Sequence, residues 1–258
     1  MEQNHGKFLG IHFMKICMMG RKERVKQDQY QNYFFTNIRL VSMTDVDPEA
    51  LADVAYGIFE YSLNRGLRMR DKYLYALVEG GIDFKADLFV IFNEFSLEYP
   101  QLAEVLLQRF SDINTIYGML CNGEGVVPSK TTQMYWIVQD APGSAPEAIE
   151  DEKAGKWLIF QEPGLADAAW KKVRDATVAL ELGISAKVST SKPNPESRDN
   201  RKVIYVYSKD WADEADVMRV REKLRELGFV DRIGYKRNLE TFAGEYAKKG
   251  KRVTYYSA

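Results

Sequence analysis

Two stretches of the chain, 45 residues apart, read the same way. "GKWLIF" has the apolar run of a strand, and "LADAAWKKVRDATVALELG" an amphipathic helix closed by Gly183. "ISAKVST" is a strand again. Then "RKVIYVYS", "DWADEADVMRVREKLRELG" closed by Gly228, and "FVDRIGYK" repeat the order. Two β-α-β units in succession are the pattern of a split βαβ, ferredoxin-like arrangement. The second helix is the clearest element. Asp210 and Asp213 stand at its start, Val217, Val220, Leu224 and Leu227 line one face, and arginines fill the later turns. With "MYWIVQ" before and "KRVTYYSA" after, the pattern predicts an α+β domain of about six strands with its helices packed on one face.

A sheet covered on one face only sends alternate side chains to the other. In "ISAKVST", Ile184, Ala186 and Val188 are expected under the helices, which turns Lys187, Ser189 and Ser191 outward. In "RKVIYVYS", Ile204 and Val206 are expected inside and Tyr205 and Tyr207 outside. In "GKWLIF" the matching choice places Leu158 and Phe160 inside and Trp157 outside. The expected open face therefore carries Trp157, Lys187, Ser189, Tyr205 and Tyr207. The loop "SKPNPESRDNRK" beside it adds Lys192, Arg198, Arg201 and Lys202, stiffened by Pro193 and Pro195. Aromatic rings stack on bases, and lysines and hydroxyls hold phosphate oxygens. The same composition also suits an ordinary solvated sheet and a charged surface loop.

The first half reads differently. Asp47-Pro48 opens a helix whose Leu51, Val54, Ala55, Ile58, Phe59 and Leu63 recur at helical spacing until Gly66. Further helices are expected over about 69–78, 84–97 and from Pro100, the last with Leu102, Val105, Leu106, Phe110 and Ile113 on one face. Tyr33 to Met43 could form a strand. The aromatic stripe Tyr56, Phe59, Tyr73, Phe89, Phe92 and Phe95 reads as core. "CNGEGVVPSKTTQ", Cys121 to Gln133, has linker composition. The division expected is a mainly helical domain over 1–125, a linker over 126–134 and the α+β domain over 135–258.

Composition narrows the chemistry. A net charge of −1 gives no whole-molecule pull toward nucleic acid or anionic membrane. Residues 1–125 hold 13 basic and 17 acidic side chains and the remainder 23 and 20, so the C-terminal half is modestly basic. Two cysteines a hundred residues apart set no disulfide framework or metal spacing. The only histidines, His5 and His12, exclude a Ser-His-Asp triad or histidine metal site in the C-terminal half. "FLGIHFMKICMMG" is too short to span a bilayer and lacks a leader's cleavage site, so a cytoplasmic protein is expected.

"GKWLIF", the helix with Trp170 and Val173, "LGISAKVST", "VIYVYSKDW", "DVMRVREKLRELGF" and "IGYKRNLETFAGEY" resemble the family named after a basophilic-leukaemia-expressed protein. The resemblance covers Tyr135 to Ala258, and the "AKVST" block is its most specific piece. It implies the fold of cap-binding translation initiation factor 4E, a curved antiparallel sheet backed by helices. Cap binding in that fold sandwiches a methylated guanine between two tryptophans and holds its phosphates with basic residues. This half of the chain offers Trp136, Trp157, Trp170 and Trp211, with Trp170 on an amphipathic helix and expected in the core. Some family members carry a phosphothreonine lyase label. That chemistry needs a lysine base, which would be Lys187, and a histidine acid, which this half does not contain.

The expectation is a non-catalytic module that binds a phosphorylated ligand, a nucleotide or RNA, on the open face. The site expected is Trp157, Lys187, Ser189, Lys192, Arg201, Tyr205 and Tyr207, with no cofactor, no metal and no membrane. Two alternatives stand beside it, a lyase-like enzyme using Lys187 as base and a protein–protein scaffold. A phosphopeptide is a second ligand class, and the helical half could offer a surface to a protein partner.

Overall fold

The computed structural model describes residues 47–144, 152–194, 199–239 and 254–258. The expected Tyr33–Met43 strand, Pro195 and Arg198 of the basic loop, and both histidines lie outside the described residues. The chain divides into two compact units, Met1–Val126 and Val127–Ala258.

The first unit is helical throughout its described part. α1 (Pro48–Arg68) begins where the Asp47 carboxylate accepts from the Glu49 amide and proline takes the first turn. It runs through Gly66, which lies buried against Ile91 with no room for a side chain. α2 (Leu74–Glu79), α3 (Lys85–Glu98), α4 (Pro100–Phe110) and α5 (Ile113–Cys121) follow. Tyr56, Phe59, Leu63, Leu88, Phe95 and Leu106 form the core. Phe59 packs edge-on against Phe92 and Phe95, and Tyr56 against Phe110. Phe89, expected in that core, is exposed. The helix expected from Pro100 through Ile113 is two helices. Ser111 takes φ 70°, and Asp112 caps a new helix by accepting from the Thr115 amide at 2.8 Å.

The connection Cys121–Gln133 is turn-rich and half buried, with Gly123, Glu124, Val126, Pro128 and Thr131 shielded from solvent. Within the second unit, the Ser129 amide and hydroxyl both donate to the Asp167 carboxylate, at 2.9 and 2.6 Å. The Ser191 amide donates to the carbonyls of Pro128 and Thr131. Exposed linker composition thus becomes a bound strap.

The second unit holds β1 (Trp136–Asp140), β2 (Gly155–Gln161), α6 (Pro163–Val178), β3 (Ser185–Ser189), β4 (Lys202–Ser208), α7 (Glu214–Glu226), β5 (Gly234–Arg237) and β6 (Tyr256–Ser257). The sheet order is β1-β3-β4-β2-β5-β6, and every neighbouring pair is antiparallel. β4 therefore lies between β2 and β3, and β2 between β4 and β5. Each β-α-β unit is split by a strand of the other, as the repeat predicts. Both helices share one core with one face of the sheet. Trp170 and Val173 of α6 join Val217, Val220 and Leu224 of α7 over Ala186, Val188, Ile204, Val206, Trp157 and Ile159.

The stretch expected as a strand over "FVDRIGYK" is a strand only from Gly234, with Ile233 exchanging backbone hydrogen bonds with Ala258 just before it. The buried Arg221 explains the delay. Its guanidinium donates to the carbonyls of Phe229, Asp231 and Ala258, so Phe229 and Asp231 turn toward it instead of a neighbouring strand.

Candidate functional site

The face away from the helices is built by strand alternation. Ala186 and Val188 are fully buried under the helices, so Ser185, Lys187 and Ser189 of β3 point the other way. Ile204, Val206 and Ser208 of β4 are buried likewise, leaving Val203, Tyr205 and Tyr207 outward. Register then assigns the neighbours, because directly opposed residues share a face. Lys187 lies opposite Val138 on one side and Tyr205 on the other, and Tyr205 lies opposite Leu158. Tyr207 lies opposite Ser185 and Lys156, and Lys156 opposite Lys236.

The same register corrects one expected site residue. Trp157 lies opposite Val206 on β4 and Tyr235 on β5, all three fully buried on the helix side. Its indole nitrogen donates to the Val217 carbonyl of α7 at 3.1 Å. Trp157 is core. Phe160, expected inside, is 49% exposed on the opposite face. The physical reason is that "WLIF" is apolar at every position, so alternation alone cannot say which pair turns inward. The partner strand decides it.

Lys187 is the centre of what remains. Its ammonium stands 4.3 Å from the centroid of the Trp136 ring, 5.3 Å from Tyr205 and 5.8 Å from Tyr207. Trp136 and Tyr205 stack on each other at 5.3 Å with an interplanar angle of 28°. A second lysine, Lys156, lies 5.6 Å from the Tyr205 ring and 5.3 Å from Tyr207. Its ammonium donates to the Asn238 side-chain oxygen at 2.7 Å. Two lysines, the second of them buried, and three aromatic rings thus form one contiguous cluster across β1, β3, β4 and β2.

The other expected residues stand apart from this cluster or serve the backbone. The Ser189 hydroxyl accepts from the Val203 amide at 2.9 Å and fixes the start of β4. The Lys192 ammonium donates to the Gln133 carbonyl at 3.0 Å and sits 4.8 Å from the Tyr135 ring, beside the start of β1. Arg201 pairs with Asp199 at 2.8 Å and lies 5.1 Å from the Phe160 ring on β2. The hydrogen bonds from Arg201 hold the Asp199 carboxyl below its ordinary range. Lys192 and Arg201 are separated by two strands, and they do not converge on Lys187. Ser191 binds the strap and leaves the face.

Trp136, Lys156 and Lys236 are the residues that a reading of the sequence passes over. "MYWIVQ" alternates cleanly once Ile137 is placed inside, which would have turned Trp136 outward. Lys156 follows as soon as Trp157 turns inward, and Lys236 as soon as Tyr235 does.

Among the described residues no helix is long and apolar enough to cross a membrane, and no group of His, Cys, Asp and Glu is placed to hold a metal ion.

Several solved structures are similar to this chain. One is Ascaris suum eIF4E-3 in complex with an m2,2,7G cap, at 15% identity and a TM-score of 0.34, covering 47% of this chain and 68% of that one. Another is C. elegans eIF4E-3 with the 4E-binding protein Mextli and a cap analog, at 15% identity and 0.35, covering 42% and 65%. A third is schistosome eIF4E complexed with m7GpppA and 4E-BP, at 14% identity and 0.34, covering 42% and 60%. Residues 149–242 match the model of the family described as Basophilic leukemia-expressed protein Bles03, so over that segment the chain is similar to the family that its strand and helix blocks resemble.

Proposed function

We propose that the chain is a non-catalytic binding module for a phosphorylated ligand, a nucleotide or RNA, on the sheet face opposite the helices. The observation that carries this reading is the position of Lys187 among Trp136, Tyr205 and Tyr207. A base is recognised by stacking on an aromatic face, and its phosphate by a nearby ammonium. Here both chemistries lie within one side chain's reach.

The test is a thermal-shift and calorimetric screen of the intact chain against nucleotides, cap analogues, short RNAs and phosphopeptides, since a ligand that binds only the folded state raises apparent stability. A charge-assisted hydrogen bond to phosphate contributes about 1.5–3 kcal/mol. Lys187→Ala should therefore weaken the nucleotide or RNA ligand about tenfold or more with the fold intact. Unchanged affinity in that variant would refute the reading. Lost turnover of a phosphorylated substrate, with a small loss of binding, would favour the enzyme instead.

A further inference from the structure

We infer that the exposed face of α3 is a docking site for the chain's own apolar run "FLGIHFMKICMMG", residues 8–20, which lies outside the described residues. α3 is apolar on two opposite faces. Leu88, Ile91 and Phe95 are buried in the helical unit, whereas Phe89, Val90 and Leu97 are 40%, 48% and 79% exposed. Ala86, Val90, Asn93 and Leu97 stand at i, i+4, i+7 and i+11, a single exposed stripe about 16 Å long with Phe89 at its edge. A helix that is apolar all round is ordinarily buried all round. The outer stripe of α3 therefore calls for a cover.

Size, chain entry and charge choose the occupant. A stable complex between separate chains takes roughly 20–30 residues a side, and this stripe falls well short of that. A tethered segment needs less, because it meets the stripe at an effective concentration on the order of millimolar. The chain also enters the helical unit at the right place. α1 runs antiparallel to α3, with Phe59 5.4 Å from Phe95 and Arg70 3.8 Å from Asp87, so the residues before Asp47 join at the Leu97 end of the stripe. That end is acidic. It carries Glu94, Glu98 and the carbonyl end of the helix dipole, and Arg70, 3.6 Å from Glu94, offsets part of the charge. "RKERVK", residues 21–26, follows the apolar run directly and is predominantly basic. Leu9, Phe13, Ile16 and Gly20 repeat the stripe's own spacing. Aligned parallel to α3, they set Leu9 against Ala86 and Gly20 against Leu97, large on small at both ends, and Ile16 against Asn93. The same alignment brings residues 21–26 to the acidic end, from which residues 27–46 lead back to Asp47.

The test traps the contact in the full chain. In a background of Cys17→Ser and Cys121→Ser, the pair Ile16→Cys and Asn93→Cys is treated with oxidised glutathione, and intact-mass spectrometry follows the intramolecular disulfide. The reference pair is Ile16→Cys with Gln108→Cys on α4. Asn93 and Gln108 are both exposed, so neither substitution disturbs the core. The first pair should close about tenfold or more faster than the reference. Adding Phe13→Asp should bring the two rates to within about twofold of each other, because it places a charge against Val90. Equal rates without that change would overturn the inference, and so would an advantage that survives it. A disulfide joining two chains through position 93 would assign the stripe to a second copy and overturn the inference as well.

Discussion

Two tryptophans of the sheet use the same side chain for opposite ends. Trp157 gives its whole surface to the core and its indole N–H to the Val217 carbonyl. Trp136 remains part-exposed with its ring against Lys187 and Tyr205. Truncating a buried tryptophan costs about 3–5 kcal/mol, whereas losing one stacking platform costs a base about 1–3 kcal/mol of binding. Trp157→Ala should therefore lower the denaturant midpoint sharply, and Trp136→Ala should leave it nearly unchanged while weakening nucleotide binding. The reverse pattern would return Trp157 to the ligand face. The contrast also marks the limit of reading single residues. Lys187 was legible because small apolar neighbours, Ala186 and Val188, fix which way it points. Trp157 was not, because its neighbours Leu158 and Phe160 are as apolar as it is, and only the facing strand distinguishes them.

At the scale of elements, the helices and the strand order follow from periodicity, and the exceptions have local causes. Ser111 and Asp112 break one apolar stripe into two helices, and Arg221 holds back the start of β5. The turn between α6 and β3 is more tightly specified than its helix-ending glycine suggests. Leu180 takes φ 62°, and Gly183 follows with its backbone against β4. A β-carbon on Gly183 would stand 1.8 Å from the Tyr207 carbonyl oxygen, the same oxygen that accepts from the Ile184 amide at 2.9 Å. Backbone cannot retreat as a side chain does. Gly183→Ala should cost at least the roughly 1–3 kcal/mol typical of overpacking, and it should displace Tyr207 from the lysines as well. Equilibrium unfolding and the nucleotide titration, run on the same variant, should both be impaired. A variant with wild-type stability would mean that the turn relaxes freely.

Across the whole molecule, each unit buries a phenol in its own core. The division into halves could be anticipated from the change of periodicity, from helical stripes to alternating strands. The burial of the connection could not, since Gly, Ser and Pro read as exposed until the partners of Ser129 and Ser191 are known. In the helical unit Tyr56 is buried, and its hydroxyl has no hydrogen-bond partner. Burial, reinforced by the Glu124 and Glu60 carboxylates, pushes its pKa well up. In the sheet unit burial raises Tyr235, opposed by the hydrogen bond shared with Ser208. Both folded values lie above the ordinary phenol value of about 10, so folding favours the protonated ring. The resulting stability is fully present below about pH 10 and is lost as pH rises through the folded values, because the unfolded chain releases those protons first. Denaturant midpoints followed by far-ultraviolet circular dichroism should therefore hold between about pH 7 and 9 and fall above about pH 10. Tyr56→Phe removes a buried hydroxyl that bonds to nothing, so it should keep or raise stability at neutral pH and reduce the alkaline loss. Tyr235→Phe should also reduce the alkaline loss, but it deprives Ser208 of a partner and should be destabilising at neutral pH. An alkaline fall of wild-type size in the double variant would show that other groups govern it.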